Sequence, residues 1–216
     1  MLRNERVDLQ VATAKYNDTV FINCPFDRKY RPIFDAIVFT VFDCGFNPRC
    51  ALEVSDGSVV RIDKILSIIE KCRYGVHDIS RTQIDRGTRL PRFNMPFELG
   101  LFCGAKRFGI MQQKRKVCLI LDSESYRYQK FISDISGQDV LSHDNDVLKV
   151  ICRIRDWLRT SSGRSSIPGG GEIHRRYLEF QRRLPQLCRR ARLRKGDMIF
   201  ADQTRLIFDW LTEVAS

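Results

Sequence analysis

The 216-residue sequence is sparing in several things, and each scarcity excludes a class of protein. It has only three histidines, none near another, and its eight cysteines stand singly with no C-x-x-C pair. Tetrahedral zinc sites need closely spaced Cys and His ligands, so no structural metal is expected. Cysteines set singly in apolar runs such as "KVCLIL" are expected to be reduced, mostly buried thiols rather than a disulfide framework. No run approaches the roughly 18 consecutive apolar residues of a membrane span. The N-terminal "MLRNERVDLQVATAKYNDT" carries charge throughout and lacks the apolar centre of a signal peptide. It reads as a short lead-in to a first strand, in a protein expected to be soluble and cytoplasmic. Neither glycine-rich phosphate cradle is present, which argues against a redox dehydrogenase or an NTPase. No internal repeat is visible.

What the chain does have is an alternation of strand-like and helix-like segments. "TVFINCPFD" (19–27) is a short apolar run ending in turn chemistry. "KYRPIFDAIVFTVFDCG" (29–45) places apolar residues at helical spacing and stops at Gly45. "FNPRCALEV" (46–54), "RYGVHDIS" (73–80), "KVCLILDSE" (116–124) and "QDVLSH" (138–143) read as further strands. Helices are predicted over 61–72, from Pro96, over 128–137 and over 144–160. Five β/α units at this spacing imply an α/β fold with a parallel, doubly wound, flavodoxin-like sheet, its site at the carboxyl ends of the strands. The stretch "SSGRSSIPGGG" (161–171) reads as a flexible linker. It would divide an α/β domain (1–160) from a basic helical C-terminal extension (172–216).

That topology brings Asn23–Asp27, Glu53–Asp56 and Asp78–Arg81 to one edge, together with the start of the helix in "RFNMPFELGLFCGAKRFG" (92–109). Pro96 suits the first position of this helix, which would put Glu98 at the third. Glu there can cap the backbone and complement the helix dipole. Nearby free amides would also keep it ionised, as a catalytic carboxylate requires.

An aspartate ending the third strand ("HDIS", 77–80), then a loop, then "FNMPFELGLFCGAKRFG" (93–109), together with "NCPFD" (23–27), resembles one superfamily. It is that of the nucleoside 2-deoxyribosyltransferases and the related TIR-like (Toll/interleukin-receptor-like) NAD-cleaving domains. The resemblance covers about 19–160. Chains of this kind also look like bacterial proteins of unassigned function, some of them linked to phage defence. The resemblance implies an N-glycosidase or transferase acting on NAD or a related nucleotide or nucleoside, with the nucleotide as substrate and no separate cofactor. Glu98 would attack or stabilise the anomeric carbon, and Asp78 would hold ribose hydroxyls or the departing base. Asn94 and Ser80 would bind the sugar, Phe26 would stack on the base and Asn23 would line the pocket. Plainer roles exist: a strand-end cap for Asp78 and a core position for Phe26. The loop 81–93 carries Arg81, Arg86, Arg89 and Arg92, more basic than a bare nucleoside needs, and arginine forks such as Arg92 pair well with phosphate.

Charge is the last feature. Of the net +11, +7 lies in 172–195, where eight Arg and one Lys stand against two Glu. Ile173, Tyr177, Phe180 and Leu184 follow helical spacing, leaving Arg182, Arg183, Arg189 and Arg190 to contact nucleic acid or an acidic partner, or simply to be solvated. Three functions are therefore open: an N-glycosidic enzyme, a non-catalytic nucleotide sensor, and a nucleic-acid-binding accessory protein. Assembly into a homo-oligomer is compatible with each.

Overall fold

A computed structural model describes residues 15–53, 56–82, 89 and 92–215. Strands β1 (Thr19–Asn23), β2 (Asn47–Arg49), β3 (Tyr74–Asp78), β4 (Val117–Asp122) and β5 (Val140–Ser142) form one sheet. All pairings are parallel and the order is β2-β1-β3-β4-β5, the flavodoxin-like doubly wound arrangement. The helices are α1 (Arg31–Asp43), α2 (Arg61–Glu70), α3 (Asn94–Phe108), α4 (Val147–Ser162), α5 (Gly170–Arg190) and α6 (Phe200–Ala215). β1 and β3 are buried along their whole length, as central parallel strands covered on both faces must be. β2 is short and lies at the edge, where Pro48 removes no needed ladder bond.

Side chains alternate across the sheet, and this parity governs the site. Val20, Ile22, Tyr74, Val76, Leu119 and Leu121 face a large core built with α1, α4, α5 and α6. Phe21 packs on the opposite face with α2 and Phe102 of α3, and Ile120 packs there with Met95 and Leu99. Asn23 and His77 share the parity of Phe21, whereas Asp78 shares that of Tyr74 and Val76.

Three expectations need correction. Residues 161–171 are not a flexible linker. α4 continues to Ser162, Ile167 is buried, and the Arg155 guanidinium donates to the Pro168 carbonyl at 2.5 Å. Gly170 lets α5 press onto α4: a Cβ there would lie 2.6 Å from the Cys152 Sγ. Nor is the C-terminal segment an appendage. Phe39 of α1 holds ring contacts with Tyr177 (5.5 Å), Phe180 (5.5 Å) and Trp210 (5.8 Å), so α5 and α6 complete the main core. Finally, 128–137 forms two 3-10 turns (Arg127–Lys130 and Ser133–Ile135) rather than a helix. The segment is too short to repay helix nucleation, and Ser133, Asp134 and Gly137 are weak helix formers.

All eight cysteines are free thiols, five of them buried and Cys103, Cys118 and Cys152 partly so. Among the described residues no helix is long and apolar enough to cross a membrane.

Candidate functional site

Strand order reverses between β1 and β3, and there the connections leave the carboxyl ends of the two strands toward opposite faces. A cleft of about 320 Å³ opens at this point. One wall is the segment after β1: Asn23, Cys24, Pro25, Phe26 and Asp27. The other is the start of α3, with Arg92, Asn94, Met95 and Glu98, and Arg61 at the start of α2 adds a second cation.

Glu98 sits in this wall, 7% exposed. The helix begins at Asn94, two residues earlier than the proline suggested, so Pro96 is the third helical residue and Glu98 the fifth. Proline is tolerated there because the first turn's N–H groups have no intrahelical acceptor. Glu98 therefore lies beyond the capping position. It is also not held ionised as expected: burial pushes its carboxyl up to about 7, and the Arg61 guanidinium only partly offsets this. Near neutral pH the group is divided between acid and carboxylate.

The adjacent side chains are fixed by hydrogen bonds. Asn23 donates from Nδ2 to the Met95 carbonyl (2.8 Å) and to His77 Nδ1 (3.1 Å), pinning α3 to β1 and β3. With Nδ1 accepting, the His77 proton is on Nε2, and the imidazole lies edge-on to the Phe102 ring with the centroids 4.9 Å apart. Burial and the Lys116 charge push His77 down to about 3, so it stays neutral. Gly75 makes room for this pair, since a Cβ there would lie 2.6 Å from His77 Nε2. Phe26, 38% exposed, lies edge-on to Phe34 at 5.4 Å. Asp27 accepts from the Lys29 and Tyr30 amides and lies 3.5 Å from Arg81. Cys24 is buried, and burial together with the Asp78 charge pushes its thiol well above the ordinary range.

Asp78 and Ser80 do not line the cleft. Asp78 is fully buried on the other face, where it accepts from the Tyr30 hydroxyl (2.5 Å) and the Ser80 amide (2.8 Å). His143 Nε2 lies 2.9 Å from the same carboxylate. The Asn145 amide donates to His143 Nδ1, which leaves the ring proton on Nε2, the nitrogen nearest Asp78. Burial pushes the Asp78 carboxyl up, but its interaction with His143 and the hydrogen bonds from Ser80 and Tyr30 outweigh it and hold the group below its usual value. Ser80 is buried with it, serving Asp78 through its amide. Strand parity sends Asp78 away from Glu98, and the same alternation was readable in "YGVHD".

Of the loop arginines, Arg92 lines the cleft, Arg81 reaches it through Asp27, Arg89 is exposed, and Arg86 lies outside the described residues. Glu53 is taken up by Arg49 and does not line the cleft; Val54 and Ser55 lie outside the described residues. Arg61, Asp27, Cys24 and Met95 were missed among the candidate binding residues. Asp27 and Cys24 belong to the post-strand segment that the topology had already singled out, and only Arg61 had no local signal. Arg182, Arg183, Arg189 and Arg190 are exposed on α5, away from its buried stripe. Among the described residues no group of three or more His, Cys, Asp or Glu could hold a metal ion.

The cleft thus offers one partly protonated carboxyl, two guanidinium groups and an aromatic ring. It is a set able to bind a phosphate-bearing ligand and to oppose a developing positive charge. Compared with known proteins, the chain finds no counterpart: no family model, curated protein or solved structure matches it.

Proposed function

We propose that the cleft binds a nucleotide and that Glu98 supports cleavage of its N-glycosidic bond, NAD being the best-suited substrate class. The observation that carries this reading is Glu98 itself, a carboxyl buried in a cleft wall at the sheet's switch point and flanked by Arg61 and Arg92. In the step, the bond from the anomeric carbon to the base nitrogen breaks and its electron pair leaves with the base. The sugar becomes oxocarbenium-like, and the nearby Glu98 carboxylate stabilises that charge or captures it covalently. Water then adds at the anomeric carbon, displacing Glu98 as carboxylate where the two had bonded, and gives up one proton, which Glu98 can accept.

Among the described residues the cleft supplies one untethered carboxyl. Asp78 is sequestered, and Asp27 is tied to Arg81 and two backbone amides. A neutral nucleoside needs an acid to protonate its departing base, while a pyridinium base leaves neutral without one. That difference favours NAD over an uncharged nucleoside. Arg61 and Arg92 would hold its phosphates, Phe26 would stack on a ring, and Asn94 would bind the sugar. Asn23, committed to Met95 and His77, would position α3 rather than bind substrate.

The test is incubation of the protein with NAD and with nucleosides, followed by chromatography for released base. Nicotinamide release should exceed release from nucleosides. It should fall on the order of a thousandfold or more in Glu98→Gln. Release unchanged by Glu98→Gln would refute the mechanism. Binding of NAD without release would instead identify a nucleotide sensor, the reading that the sequestered Asp78 favours.

A further inference from the structure

The cleft leaves unused the strongest charge feature of the molecule. Between Gln181 and Lys195 the chain has six Arg and one Lys and no acidic residue. Some surface cations elsewhere are neutralised: Arg175 bonds Glu172 and lies near Glu179, Lys149 meets Asp144, and Arg31 meets Asp35. On α5 itself, Arg176 reaches back to Asp43 at 3.0 Å. Arg182, Arg183, Arg189 and Arg190 differ. All four are exposed, and among the described residues none forms an ion pair. They form two pairs seven residues apart, which is two helical turns or about 10.5 Å.

From this arrangement we infer that the C-terminal half of α5 is a binding surface for duplex nucleic acid, engaged through backbone phosphates without base readout. Packing on the core makes the helix rigid: Phe180, Leu184 and Cys188 are buried beneath the arginines. The charges are therefore held in a fixed array facing outward, as a regular phosphate backbone requires. A lipid surface fits poorly, because the apolar stripe of α5 is already consumed by the core and cannot insert. Single strands fit less well too. They are gripped by stacking on exposed aromatics, and Tyr177 and Phe180 of α5 are both buried. The guanidinium groups sit at the negative pole of the helix, so an incoming polyanion meets arginine side chains rather than bare carbonyls.

Fluorescence anisotropy of the full protein with labelled 20-base-pair DNA and RNA duplexes tests the surface. Four phosphate contacts predict a slope of log K against log salt of about −3.6, a loss of about a hundredfold between 50 and 200 mM salt. Both duplexes should bind within roughly tenfold of each other. R182E/R183E/R189E/R190E should abolish binding. The Arg→Gln quadruple variant covers the case in which charge reversal disturbs the last turn of α5, and should weaken binding at least tenfold. Glu98→Gln should bind as wild type does, which separates this surface from the cleft. Absence of binding at 50 mM salt, binding unaltered in the Gln variant, or polyglutamate competing as well as duplex at equal charge would each overturn the assignment; the last would point to an acidic protein partner.

Discussion

Glu98 serves the cleft at the expense of the fold, and this is measurable apart from catalysis. Its ordinary value of 4.5 is raised to about 7 by burial. The folded state therefore holds a proton that the unfolded chain has already lost between those two values. Stability tied to Glu98 is complete below pH 4.5, falls as pH rises through 7, and is level above that. Glu98→Gln carries no such proton, so its stability relative to wild type should grow over the same window. Allowing for the solvent that reaches the cleft, the gain at pH 8 should be about 1–3 kcal/mol, read from urea denaturation at pH 4.5 and pH 8. A loss at pH 8 would mean that the carboxylate is stabilised as a helix cap after all. Turnover should move the other way: in wild type, kcat/KM for NAD should rise with pH around 7 as the carboxylate forms. Most of this cleft was readable from strand ends and the start of one helix, since Asn23, Phe26, Arg92, Asn94 and Glu98 do meet. Asp78 and Ser80 were misplaced because reasoning from strand ends ignored side-chain parity. Adjacent residues of a strand face opposite ways, so His77 rather than Asp78 points to the α3 side.

Long periodic segments translated well into elements, since α1, α2 and α4 each bury most of the face that their apolar spacing marks, with Leu66 and Leu148 left exposed. Short or glycine-rich segments did not, because their structure depends on neighbours rather than on local preference. The glycine run 169–171 looked like a linker, yet Gly170 serves close packing against Cys152, a contact no local pattern encodes. α5 also contains Pro185, exposed in its interior. Lacking an N–H, it leaves the Gln181 carbonyl without its helical donor, a defect borne on the solvent side where water can compensate. Pro185→Ala restores that bond and removes a penalty of roughly 3 kcal/mol relative to Ala, while freeing the unfolded chain costs about 1. A net gain of about 1–2 kcal/mol is expected in denaturant unfolding. An unchanged or lower midpoint would show that the helix needs the proline to follow its path over α1.

α1 explains why the C-terminal helices belong to the core. Its "IFDAIVFTVF" buries Ile33, Phe34 and every residue from Ala36 to Val41, so the sheet covers one side and something else must cover the other. That near-continuous apolar character was visible in the sequence and was overlooked as a sign of a third layer. The cover is α5 and α6, which contribute Ile173, Tyr177, Phe180, Leu184, Cys188, Phe200, Leu206, Ile207 and Trp210 to the main core. Burial of side chains of this kind stabilises by roughly 1.5–3 kcal/mol for each large one, so the layer contributes more than about 10 kcal/mol. A domain's whole net stability is about 5–15 kcal/mol. A chain ending at residue 163 should therefore fail to fold, and the full chain should unfold as one unit. The two tryptophans report on the two parts: Trp157 of α4 lies edge-on to Tyr74 of β3 at 5.9 Å, and Trp210 of α6 packs on Phe180 at 5.7 Å. Trp157→Phe and Trp210→Phe each leave a single reporter. In each variant the urea transition seen by fluorescence should coincide with that seen by far-ultraviolet circular dichroism. Were α5 and α6 a separate appendage, Trp210 fluorescence would change at a different urea concentration from the bulk of the helix signal. A folded chain lacking α5 and α6 would contradict the shared core just as directly.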